Sequence, residues 1–170
     1  FDGSMTAVST KVYARSHSEL FLSERMRNLL KDLVLANGLD PTFLVDQWRD
    51  WVDRGVRTWL ATGDLEGVVI EFYKPGSNSV AARWDFPIRY DGAGSGEMWV
   101  DQAFFEESFD KAARPPSGCV YRVLLQTRSG RPDVPGIGTA AYKALGSLTG
   151  RDAGTVIATP HLVAGARYYK

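Results

Sequence analysis

The apolar positions change period along the chain. Between Ser18 and Asn37, Phe21, Leu22, Met26, Leu29, Leu30 and Leu33 recur at steps of three and four, the spacing of a helix with one buried stripe. Ser16 followed by Glu19 makes a capping box ahead of it, and Asn37-Gly38 supplies a stop. Asp40-Pro41 restarts the pattern with an N-cap and a first-turn proline. Leu44, Trp48, Trp51, Val52, Val56, Trp59 and Leu60 then carry one face to Thr62-Gly63. Period two takes over in two stretches, 67–73 (Val68, Val69, Ile70, Phe72) and 80–90. Lys74 to Ser79, rich in turn formers, joins them, which predicts two antiparallel strands. The alternation of Val8, Thr10, Val12 and Ala14 predicts a first strand over Thr6 to Ser16, and Asp101 is placed to cap a helix to about Ala113 with Phe104, Phe105 and Phe109 inward.

The sharpest alternation runs from Cys119 to Thr127. Cys119, Tyr121, Val123 and Leu125 share one face, and Val120, Arg122, Leu124 and Gln126 the other. The 41 residues after Ser129 hold 7 glycines and 3 prolines and no helical pattern. Thr155 to Thr159 and Leu162 to Tyr169 are expected there as short strands around Pro160. The order β, α, α, β, β, α, β, plus this arm, predicts an α+β fold with a mainly antiparallel sheet covered by helices on one face. All the strongly patterned elements lie before Gly130, so a core over residues 5–129 is expected to be complete without the arm, residues 130–170. The apolar run Val156, Ile157, Leu162, Val163, Tyr168, Tyr169 argues for an arm laid on the body by strand pairing instead of a disordered one.

Composition narrows the picture without changing it. A length of 170 residues with 44% hydrophobic content favours one domain, and Phe1 to Ser4, ahead of Met5, read as a cloning remnant. Twenty basic and twenty acidic side chains balance, which gives no long-range reason to expect nucleic acid or an anionic membrane as partner. One cysteine and no long apolar run predict a protein of a reducing, cytoplasmic compartment.

Catalytic constellations are thin. His17 and His161 lie in no metal-ligand spacing, no cofactor motif is complete, and Cys119 on an apolar strand face reads as a small core residue. Gly92-Ala93-Gly94-Ser95-Gly96 follows a strand and precedes a helix, as phosphate-cradling loops do. It lacks the Gly-Lys-Ser/Thr and the βαβ setting those loops need, and reads as a connection. Glu71 and Asp85 are a conceivable acid pair across the ribbon, though exposed strand faces commonly carry such charges. Trp48, Trp51 and Trp59 read as core; Trp84 and Trp99 either frame a surface groove or close the ends of the sheet, with packing the simpler reading. Two function classes follow: a non-catalytic peptide-binding switch built on the arm, and a small nucleotide-binding enzyme using the Gly92 to Gly96 loop. A static scaffold with a docked tail is a third.

Several stretches, in order, resemble the HORMA domain: Leu29-Leu30-Lys31-Asp32, Thr58-Trp59-Leu60, Arg83-Trp84-Asp85-Phe86, Met98-Trp99-Val100-Asp101, Cys119-Val120-Tyr121-Arg122 and Arg131-Pro132-Asp133-Val134-Pro135-Gly136. The resemblance is to bacterial members encoded beside cGAS/DncV-like nucleotidyltransferases in CBASS antiphage operons, and it covers residues 5–170 as a single domain. It implies a three-helix layer on a sheet, with residues 130–170 as a C-terminal safety belt that closes around a closure peptide. It also implies that Cys119, Val120, Tyr121, Arg122, Val123, Leu124 and Leu125, with Val156, Ile157, Leu162, Val163 and Tyr168 from the belt, bind that peptide. The closed protein would then activate the nucleotidyltransferase, and an AAA+ ATPase gripping Thr6, Ala7, Val8, Ser9 and Thr10 would reset it. Asn37 to Pro41 leaves no room for the extra β-hairpin that eukaryotic relatives carry between the first two helices.

Overall fold

The computed structural model describes the backbone of residues 3–91, 98–101, 103, 107–109 and 114–170, with side chains described from Arg15 onward. The Gly92 to Gly96 loop lies outside the described residues, as do Phe104 and Phe105 of the expected third helix; Glu107 to Phe109 are helical.

Helix α1 spans Gly3–Ala36 and buries Leu22, Met26, Leu29, Leu30, Leu33 and Val34. It also takes in Thr6 to Ser16, where a strand was expected. A strong helix from Ser18 onward is a nucleus onto which further turns add cheaply, and that outweighs a weak, context-dependent preference of valine and threonine for strands. Ser16 is therefore no cap. Glu19 instead accepts from Arg15 at 2.8 Å, one turn back, and Arg15 also donates to the Leu60 carbonyl at 3.3 Å.

The second helical stretch is made of α2 (Thr42–Gln47), a π-helical turn (Trp48–Val52) and α3 (Asp53–Thr62). Asp40 Oδ1 accepts from the Thr42 amide and hydroxyl at 2.9 and 2.7 Å, and these bonds hold its carboxyl below the ordinary range. Gly63 closes α3 at φ 78°, a left-handed conformation that suits glycine.

Strands β1 (Leu65–Tyr73), β2 (Ala82–Arg89), β3 (Trp99–Val100), β4 (Val120–Thr127), β5 (Gly150–Ala158) and β6 (Val163–Tyr169) form one sheet in the order β3-β5-β6-β2-β1-β4, with every strand pair antiparallel. The ribbon β1–β2 and the strand β4 are where the alternation put them. The helices cover one face, where Val68, Ile70, Phe72, Trp84, Phe86, Tyr121 and Val123 join the core. Trp84 stacks on Phe86 and meets Tyr168 at 5.2 Å between ring centres, so it packs; Trp99 is 39% exposed.

The arm corrects a second expectation. Its strands β5 and β6 lie inside the sheet, with β6 paired to β2, and Ala153, Val156, Ile157, Leu162, Ala164 and Ala166 belong to the main core. Residues 5–129 therefore do not close a core alone. Glycine- and proline-rich composition concealed this, because the irregular character is confined to 128–149 while 150–169 is regular. Truncation after Ser129 should lose the cooperative thermal transition seen for the full chain, since it removes two strands and their buried side chains from a stability of only about 5–15 kcal/mol. A two-state melt retained by the truncated chain in near-UV and far-UV dichroism would contradict this account.

Candidate functional site

β4 ends the sheet, and among the described residues no strand pairs with its outer edge. An edge strand presents a row of main-chain donors and acceptors. Here the row faces a groove of about 540 Å³ whose floor is Arg122 to Thr127 and whose walls include Trp51 and Trp59 on the helical side and Arg131, Gly136 to Ala140 and Tyr142 of the arm opposite. Two anchors hold the arm in this position.

The first is on α3. Trp59 donates from Nε1 to the Pro132 carbonyl at 2.8 Å, while the Arg131 guanidinium sits 4.4 Å over the same indole and Arg54 donates to the Pro135 carbonyl at 3.1 Å. Gly55 explains how the arm comes so near the helix. A Cβ there would lie 2.7 Å from Ile137 Cδ1 and 2.8 Å from Leu125 Cδ1, so the helix omits a side chain where the arm and β4 press in.

The second anchor is at the far end of the groove. Arg122 on β4 donates from Nε to Glu71 Oε1 at 2.6 Å and from Nη2 to the Ala141 carbonyl at 2.6 Å. Glu71 Oε2 accepts from the Lys143 amide at 2.9 Å, and Lys143 Nζ reaches the Ser77 carbonyl and lies over the Tyr73 ring. Ala144 bonds Asn78 and Val80 through the main chain, and Tyr142 lies under the Arg83 guanidinium at 4.5 Å. Between the anchors, residues 136–140 bridge the groove.

The expected site residues divide between two places. Arg122, Val123, Leu124 and Leu125 line the groove. Val120 is exposed at the start of the same strand, whereas Cys119 and Tyr121 are buried, with the Tyr121 hydroxyl donating to the Asp40 carbonyl and accepting from the Leu44 amide. Val156, Ile157, Leu162, Val163 and Tyr168 are on or beside β5 and β6, across β1 and β2 from the groove, and are buried. The structure does not bring these five to the β4 edge. The groove side of the arm is instead formed by residues 131–142, which carry no strand pattern; the Arg-Pro-Asp-Val-Pro-Gly run was the available signal. Thr6 to Thr10 continue α1 as helix.

Glu71 and Asp85 are not an acid pair. Glu71 is fully buried with Arg122 and the Lys143 amide, contrary to the exposed strand face expected of it, and Asp85 accepts both branches of Arg83 at 2.7 and 2.9 Å. Trp51 is only partly buried and lines the groove, while Trp48 and Trp59 are core. Among the described residues no group of three His, Cys, Asp or Glu side chains is disposed to hold a metal ion, and no helix is long and apolar enough to cross a membrane.

The family model described as Bacterial HORMA domain 2 matches residues 5–170. Among solved structures, a chain of the mitotic checkpoint complex superposes with a TM-score of 0.73 at 12% identity, over 89% of this chain and 97% of that one. C. elegans HTP-2 bound to the HIM-3 closure motif superposes at 0.62 and 11% identity, covering 92% and 91% of the two chains. C. elegans HTP-1 bound to HTP-3 motif-1 does so at 0.50 and 11%, covering 70% and 67%. At these identities the likeness is one of fold. No curated protein matches the chain.

Gly55→Ala tests the close approach of arm and helix. It should lower stability by about 1–3 kcal/mol in thermal unfolding, because crowding at Ile137 and Leu125 outweighs the helix propensity gained. It should also raise proteolysis between residues 132 and 142. A stabilised, equally protected variant would mean that the arm does not rest on α3.

Proposed function

We propose, from the premise that this chain belongs to the bacterial HORMA domain 2 family, that it is a non-catalytic switch that captures an extended peptide on the outer edge of β4 under the irregular first part, residues 130–149, of the belt expected over 130–170. The observation that carries the reading is the roofed groove itself. An unpaired edge strand beneath a segment held at both ends supplies main-chain bonds for an added strand and side-chain contacts for its alternate residues. Support also comes from proteins of the same fold, since HTP-2 is seen bound to the HIM-3 closure motif and HTP-1 to HTP-3 motif-1.

The wider role follows the resemblance to the CBASS proteins. The closed, peptide-bound protein binds and activates a cGAS/DncV-like nucleotidyltransferase in antiphage defence, and an AAA+ ATPase reopens it by drawing on the N-terminal turns, Thr6 to Thr10. One contact supports that last step. Ser18 Oγ on α1 lies 3.0 Å from His161 Nδ1 in the β5–β6 turn, so traction on α1 bears on the hairpin that closes the arm. Deletion through Thr10 should leave peptide affinity unchanged and slow ATP-driven opening at least tenfold; equal opening rates would remove the handle from this account.

The capture step is tested with a short peptide selected from a random library on the immobilised protein. Successive residues point their N–H groups to opposite edges of a strand, so of Val123→Pro and Leu124→Pro one removes a donor facing the groove and the other a donor to β1. The variant that keeps the wild-type melting temperature should bind at least tenfold more weakly by calorimetry, whereas Gln126→Ala should shift binding by about 1 kcal/mol or less. Unchanged affinity in the well-folded proline variant would place the peptide elsewhere.

A further inference from the structure

Glu71 is toward the C-terminal end of β1 with none of its surface exposed, whereas every other acidic residue whose burial is described is exposed or half-buried. Removing a carboxylate from water is costly unless opposite charge and hydrogen-bond donors replace the water. The replacements here come from two directions, and one of them is the belt. Arg122, opposite Glu71 on β4, serves Oε1; the main-chain amide of Lys143 serves Oε2. Arg83, opposite Glu71 on β2, turns its fork to Asp85 and lies between the rings of Tyr142 and Tyr169. Arg122 completes a ring of contacts by donating its other branch to the Ala141 carbonyl. The carboxylate thus holds the belt at residue 143 directly and at residue 141 through Arg122.

We propose that Glu71 is the positioning residue of the belt, the buried group whose two acceptor oxygens set how firmly the groove is closed. The proposal rests on reading the belt as the movable wall of a peptide clamp, although its main test does not. Both oxygens face donors, so charge and acceptor count are both required. Glutamine has nearly the same shape but one acceptor and one donor. In Glu71→Gln either Arg122 or the Lys143 amide meets an NH₂ group, whichever way the amide is turned. Aspartate is shorter by one methylene and cannot span the two donors.

Hydrogen exchange on the full chain, without peptide, reads the effect residue by residue. The amide of Lys143 bonds Glu71 and that of Ala144 bonds the Asn78 carbonyl. Glu71→Gln should raise exchange at both at least tenfold, the scale expected for loss of a charge-assisted bond, and leave Ile157 and Ala164 in β5 and β6 unchanged. Arg122→Lys is the second variant; it keeps a positive charge beside Glu71 and loses the forked link to Ala141, and it should accelerate the same two amides. Unchanged exchange at Lys143 and Ala144 in both variants overturns the proposal. So does equal acceleration across the whole sheet, which would make Glu71 a general support of the fold. With a library-selected peptide, Glu71→Gln should raise the off-rate and leave the on-rate within a factor of about two. Should no peptide bind the wild-type protein, the clamp reading fails while the exchange result still decides whether Glu71 holds the belt.

Discussion

Main-chain hydrogen bonding at the edge of a sheet is the constraint on which this structure turns. β1 has neighbours on both sides, β2 and β4, and β2 has β1 and β6, but among the described residues β4 has only β1. A bare edge invites association with any extended chain, and proteins ordinarily blunt it with charge, proline, a bulge or a cover. This chain covers β4 without pairing it. Residues 131–142 form the wall opposite the strand, held at α3 by Trp59 and Arg54 and at the sheet by Glu71 and Arg122. The space left is a groove of about 540 Å³ along β4.

The two anchors differ in kind. At α3 the contacts are an indole and a guanidinium donating to main-chain carbonyls, a cation over a ring and the close packing that Gly55 permits. At the sheet, directional bonds converge on one buried carboxylate, which either makes both of its partners or leaves a donor unsatisfied. Ile157, Ala164 and Trp84 belong to the main core, and the arm reaches that core through Val134 and Ile137.

Much of the architecture was legible in the chain because the periods were clean. Cys119 to Thr127 alternates without a break, the ribbon on either side of Lys74 to Ser79 pairs as its turn formers suggest, and Gly38 and Gly63 both take positive φ at helix ends. Two readings failed for physical reasons. Valine and threonine in Thr6 to Ser16 have a strand preference that a helix already nucleated downstream overrides. The arm's two strands were legible as Thr155 to Thr159 and Leu162 to Tyr169, but the irregular, glycine- and proline-rich stretch before them hid that they complete the core. As for the groove, its floor was visible as an alternating strand. Its roof was not, because Ile137, Ala141 and Lys143 act through a packing contact, a carbonyl and an amide that no residue pattern announces. Glu71 looked like a surface acid because period two places it opposite the apolar face, and the burial comes from a segment 72 residues away in sequence.

The central claim is that an extended peptide becomes the next strand beyond β4. Isotope-filtered nuclear Overhauser contacts between an unlabelled, library-selected peptide and the labelled protein test it most directly. The account predicts cross-strand contacts from peptide Hα and amide protons to the main chain of Val123, Leu124 and Leu125, with further contacts to Trp51 and Ile137. Contacts confined to the β5–β6 hairpin, or to side chains without any main-chain pairing along β4, would contradict it.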